Sequence, residues 1–165
     1  MFILLLHSAL AYTLESIPSS NTPPELFYSS GIVYNSLTNS LILFGGYNVV
    51  EDIYTNSLYI FSLSTLTWGQ LYSESLYIPP SINDPILYLR SDNVFLSLFG
   101  IINTGYISDF LLYNITSRSW SLAEFPKTLQ GRAHSAYTTL EWEGQEYLAI
   151  YGGYLANGIT NSLNL

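Results

Sequence analysis

The 165-residue chain contains no cysteine, which removes disulfides, thiolate metal sites and cysteine nucleophiles together. Basic residues are almost as scarce. Arg90, Arg118, Lys127 and Arg132 are the whole set, against twelve Asp and Glu, for a net charge of −8. Four scattered cations cannot neutralise a run of phosphates, so no nucleic-acid surface is expected. With only His7 and His134, an imidazole metal site lacks partners, and neither a metal nor another cofactor is expected. Long hydrophobic runs are also missing. The longest candidate beyond the N-terminus, Ile86 to Phe99, is interrupted by Arg90 and Asp92, and a spanning helix needs ~20 apolar residues. No window carries apolar residues at helical spacing with caps at both ends.

What remains is apolar and aromatic. Hydrophobic residues make up 48% and charged residues 10% of the chain, with fifteen Tyr, eight Phe and three Trp. That balance supports a core, and flat side chains suit a pleated sheet face. Residues 1–11 read as a signal peptide. Met1 to Leu6 opens an apolar run, and Ala9-Leu10-Ala11 has the small-residue spacing of a cleavage site. This implies a secreted or lumenal protein; a buried N-terminal segment of a cytoplasmic protein is the alternative. On the secreted reading, Asn114-Ile115-Thr116 is the one glycosylation sequon.

The chain repeats itself. Leu43-Phe44-Gly45-Gly46-Tyr47 returns as Ile150-Tyr151-Gly152-Gly153-Tyr154, with a decayed copy, Leu98-Phe99-Gly100-Ile101, between them. From Trp68 to Gly100 and from Trp120 to Gly152 is 32 positions in both cases. A period near 50 suits units of four short strands rather than helical repeats. Runs bounded by Gly, Asn, Asp, Ser and Pro predict strands at 29–35, 41–45, 57–62 and 67–72 in the first unit (29–72). The second (85–123) has them at 86–90, 94–99, 110–114 and 119–123. The incomplete third (131–165) has 133–140, 146–151 and 161–165. Residues 12–18 read as a lone fourth strand, as Tyr12 to Pro18 is similar to Trp120 to Pro126.

These landmarks resemble the kelch repeat: a hydrophobic strand ending in Gly-Gly, a Tyr-bearing third strand (Tyr59, Tyr113) and a Trp opening the fourth. Gly131-Arg132-Ala133-His134-Ser135 is similar to that family's entry into strand one. In the second unit Ile101 stands where the second Gly is expected. The resemblance covers about residues 12–165 and implies an all-β fold of kelch-type propeller blades, about three of them, forming an incomplete ring. Gly45, Gly46, Trp68, Gly100, Trp120, Gly152 and Gly153 are then scaffold. The chain is either a fragment of a larger propeller or a half-propeller that pairs with a second copy, and open blade faces favour self-association.

Binding is expected where the loops are long, because long loops on a rigid scaffold hold most sites. The connections between second and third strands carry Tyr47, Asn48, Tyr106, Tyr154 and Asn157, residue types that offer area and hydrogen bonds. The partner expected there is a protein, a peptide or a glycan. Three tyrosines, Tyr47, Tyr106 and Tyr154, would share one rim. No catalytic constellation is visible. A galactose-oxidase-like enzyme, whose family builds a copper site with a Cys-crosslinked Tyr on such a scaffold, would have to keep its catalytic residues outside this chain.

Overall fold

The structure is a computed structural model that describes residues 17–22, 24, 27–90, 93–123 and 129–165. The signal-peptide reading of 1–11 and most of the strand expected at 12–18 lie outside these residues. Among the described residues there are strands and no helices, so no helix is long and apolar enough to cross a membrane.

In chain order the strands are β1 (Phe27–Tyr28), β2 (Gly31–Asn35), β3 (Ser40–Phe44), β4 (Tyr47–Asn48), β5 (Ile53–Tyr54), β6 (Leu58–Ser62) and β7 (Thr67–Leu71) in unit 1. Unit 2 has β8 (Ile86–Leu89), β9 (Val94–Leu98), β10 (Ile101–Ile102), β11 (Gly105–Tyr106), β12 (Phe110–Asn114) and β13 (Ser119–Ala123). Unit 3 has β14 (Ala136–Trp142), β15 (Gln145–Tyr151), β16 (Tyr154–Leu155), β17 (Gly158–Ile159) and β18 (Leu163–Asn164). Units 1 and 2 are four-stranded antiparallel meanders, β2-β3-β6-β7 and β8-β9-β12-β13; unit 3 is the three-stranded β14-β15-β18. Eleven strands were expected in these sheets and eleven form, most within one or two residues of the expected bounds.

Two of the short turns are built by one device. Asn35 Oδ1 accepts from the N–H of Leu37 and Thr38, and Asn114 Oδ1 from Thr116 and Ser117. A side-chain carbonyl thus stands in for a turn carbonyl. The residue closing each four-residue turn has positive φ: Asn39 at 47°, Leu66 at 56° and Arg118 at 50°.

Register corrects one reading of the repeat. Gly31 pairs with Phe44, Ile86 with Leu98 and Ala136 with Tyr151. Counting on from these pairs places Gly100 with Gly46 and Gly153, and Phe99 with Gly45 and Gly152. Backbone angles agree: the first position has φ 68°, 58° and 70°, the second 102°, 106° and 107°. So the second unit keeps the second Gly and replaces the first with Phe99; Ile101 is not the substitute. The matching 32-residue spacing was coincidental, a shorter connection being offset by a longer β14–β15 hairpin. Phe99 tolerates left-handed backbone, which disfavours bulky residues, because its ring is buried at 1% exposure against Phe110 and under the Arg132 guanidinium, 5.3 Å from the ring centre.

Units stack face to face. Ile42, Phe44 and Leu58 of unit 1 meet Leu87, Phe95, Leu111, Tyr113 and Trp120 of unit 2 in one core. Trp120 lies 4.7 Å from Phe44 and 4.9 Å from Tyr113, ring centre to ring centre. A second core joins Leu96, Leu98 and Phe110 of unit 2 to Ile150 of unit 3. Main-chain bonds cross as well. Gly46 N–H donates to Ile82 O (2.7 Å), Ile82 N–H to Thr55 O (3.0 Å) and Gly100 N–H to Arg132 O (2.7 Å).

Candidate binding face

Each connection between second and third strands, a loop by sequence, folds into a small hairpin. The pairs are β4–β5, β10–β11 and β16–β17. Each hairpin gains a third chain from the segment entering its unit. Tyr28 pairs with Tyr47, Asn83 with Ile101 and Ala133 with Tyr154. The close approach is why the second Gly cannot carry a side chain. A Cβ on Gly46, Gly100 or Gly153 would lie 2.8, 2.7 or 2.8 Å from the carbonyl oxygen of Tyr28, Asn83 or Ala133. The three hairpins stand at the same end of their sheets.

Between the first two hairpins runs an open groove of about 610 Å³, walled by Tyr47, Asp52 and Tyr54 on one side and Ile101, Ile102 and Asn103 on the other. Tyr47 is held by rings on both flanks, Tyr28 at 5.0 Å and Tyr54 at 6.0 Å. The groove is therefore a rigid aromatic wall facing an aliphatic one, with a carboxylate and an amide at its mouth.

The structure sorts the expected contact residues. Tyr47 is half-buried in the groove wall, Tyr154 is 48% exposed, and Asn157 is exposed at the tip of the third hairpin. Asn48 is not a surface residue: it is 4% exposed, its Oδ1 accepting from the N–H of Val50 and Glu51. It leads the β4–β5 turn as Asn35 and Asn114 lead theirs, and Asp52 closes that turn at φ 59°. Tyr106 sits on the returning arm, paired with Ile101; its counterparts are Tyr54 and Ile159, not Tyr47 and Tyr154. The expected three-tyrosine rim is thus two tyrosines and Ile101 on one arm, with Tyr106 on the other. Tyr54, Ile101 and Ile102 were missed as contact residues; the pairing of Ile101 with the Gly-Gly-Tyr tyrosines was hidden by the one-residue misalignment.

His134 was expected on a strand. It lies before β14, at φ 56°, the same position that Ser29 and Asp84 hold at 54° and 59°. The three follow one another from unit to unit. Asp84 N–H donates to Ser29 O (2.7 Å), and the Asp84 carboxylate accepts the His134 N–H and faces Nδ1 at 3.2 Å. His134 also meets the edge of Tyr154, ring centres 5.8 Å apart. Arg132 is no surface cation. It is 4% exposed, donates to the carbonyls of Gln130 and Gly152, and burial pulls its pKa down.

A second hollow, about 620 Å³, lies along the first strands of all three units, with Ile32, Tyr34, Leu87, Leu89, Tyr137 and Thr139 among its walls. Burial, then the Asp84 charge, raise the Tyr137 pKa. No model of a known protein family matches the chain, and no curated protein matches it.

Proposed function

We propose that the chain is a segment of a kelch-type β-propeller in a secreted or surface protein, and that it binds rather than catalyses. Its ligand lies across the hairpin end of the units. The propeller reading is supported by successive four-stranded meanders stacking through equivalent residues, and by how unit 1 is entered. Ser20 N–H donates to Leu66 O and the Asn21 side chain brackets Trp68, as Glu74 N–H donates to Arg118 O and Ser75 Oγ accepts from Trp120 N–H. The chain reaches unit 1 along the path by which it leaves a fourth strand for unit 2.

The observation that carries the binding reading is the groove between the first two hairpins. Rings and aliphatic side chains give it area, and Asp52 and Asn103 offer polar contacts at its edge, the composition of a surface that takes a protein segment, peptide or glycan. Screening the chain on displayed peptides and on a glycan array tests it. Ligands captured by the native chain are expected to bind the double variant Tyr54→Ser, Ile102→Ser at least about tenfold more weakly, as loss of central anchors does. Ligands held equally by both would place the binding surface elsewhere.

A further inference from the structure

The groove between the first two hairpins has an open ladder edge along one wall. Thr55 N–H donates to Gly46 O (3.0 Å), and the next pair toward the turn is Tyr54 with Tyr47. Bonding in an antiparallel ladder alternates from pair to pair, so the main-chain N–H and C=O of Tyr54 point away from β4. On the far side of β4, Tyr47 is paired with Tyr28 of β1; the equivalent residues of unit 3, Ala133 and Tyr154, exchange both bonds, at 3.1 and 2.8 Å. β5 ends its sheet, whose order is β1-β4-β5. Among the described residues no strand pairs with β5 on that side, and Tyr54 walls the groove. The edge thus offers one donor and one acceptor on a single residue, the arrangement that one residue of an added extended chain completes.

The charge at this place has one sign. Asp52 lines the groove, and Glu51 stands beside it with Oε2 accepting from Asn48 Nδ2 at 3.2 Å. None of the described cations lines the groove: Arg90 borders the hollow along the first strands, Arg118 faces Glu74 at 3.8 Å, and Arg132 is buried. Opposite stand Ile101 and Ile102. We propose that the groove takes an extended, basic peptide. It adds to β5 as a further strand through the main chain of Tyr54, lays an apolar side chain on Ile101 and Ile102, and sets a Lys or Arg beside Asp52. A glycan fits this wall less well, because Tyr47 has rings on both flanks, which leaves less of it free to stack on a sugar. The inference rests on the groove being the binding site and narrows its ligand to one class.

Panning short random displayed peptides on the native chain, then titrating the most enriched one as a synthetic, end-blocked probe, tests it. Enriched peptides should carry net positive charge. Replacing each probe N–H in turn by N-methyl should weaken binding about tenfold at one position and leave its two neighbours unchanged, because alternate main-chain groups of a strand face away. Asp52→Asn should weaken binding about two- to fivefold at low ionic strength, and by less in about 0.5 M salt. The turn should survive that change, since Asn39 closes the corresponding turn at φ 47° and Asp52 at 59°. Peptides that are lost on Tyr54→Ser, Ile102→Ser but tolerate N-methylation everywhere, or that prove acidic, overturn strand addition while leaving the groove as the site. Capture of glycans without peptides does the same. Peptides held equally by the double variant place the site elsewhere and overturn both readings.

Discussion

Asn48 shows how residue type and residue role part company. On a loop it reads as a contact residue; in place its amide oxygen satisfies two main-chain donors beneath the groove. Asn48→Ala leaves those donors unpaired in a buried setting and is expected to cost about 1–3 kcal/mol. Asn157→Ala, exposed at a hairpin tip, should stay within about 0.5 kcal/mol. Equal shifts in urea midpoint for the two variants would contradict the assignment. The signal was present in the sequence: Asn48 is followed four positions later by Asp52, as Asn35 is by Asn39, but only the hydrogen bonds show that the first Asn leads a turn. The phenols make a second prediction. Burial, before any charge, raises the pKa of Tyr77, Tyr113 and Tyr137. A raised acid is protonated more firmly when folded, so its contribution holds below the unfolded pKa and is lost as pH climbs past it. Stability should therefore hold to about pH 10 and fall above it, with a shallower fall in Tyr113→Phe, measured by denaturation at stepped pH.

At the scale of elements, the repeat made strands and turns legible, because Gly, Asn and Trp recur where geometry demands them. What stayed hidden were the two-residue arms of the small hairpins. Arms that short have no alternation to detect, and each depends on a third chain arriving from the preceding connection. The same dependence predicts the cost of filling the second Gly. Gly100→Ala would push a methyl into Asn83 O and force left-handed backbone on a non-glycine residue. We expect at least about 2 kcal/mol of lost stability, since overpacking and strain add, while Gly69→Ala, with its nearest neighbour at 3.4 Å and φ unremarkable, should be much milder. The two tryptophans that open fourth strands also separate. Trp120, 5% exposed between two units, should cost about 3–5 kcal/mol on truncation to Ala; half-buried Trp68 should cost visibly less. Calorimetric midpoints that fall equally for both would show that the 1–2 interface is not the stabilising one.

For the whole molecule, burial is a property of pairs of units rather than of any unit alone. Unit 2 is covered on both faces and supplies most of the buried core. The ends carry the exposed counterparts, as expected of stacked repeats whose stability comes largely from neighbours. This extends to the ligand face, since the groove exists only where two hairpins stand side by side. Its walls belong to units 1 and 2, so whatever loosens the stack also opens the site. The stack therefore depends on one set of contacts, the main-chain bonds by which each Gly-bearing strand end grips the next unit. Amide hydrogen exchange resolved at single glycines measures them directly. If the units stack as described, Gly46 and Gly100, which donate to Ile82 O and Arg132 O, will exchange far more slowly than Gly144, which sits exposed in the β14–β15 turn. Exchange of Gly46 and Gly100 at the rate of Gly144 would contradict it.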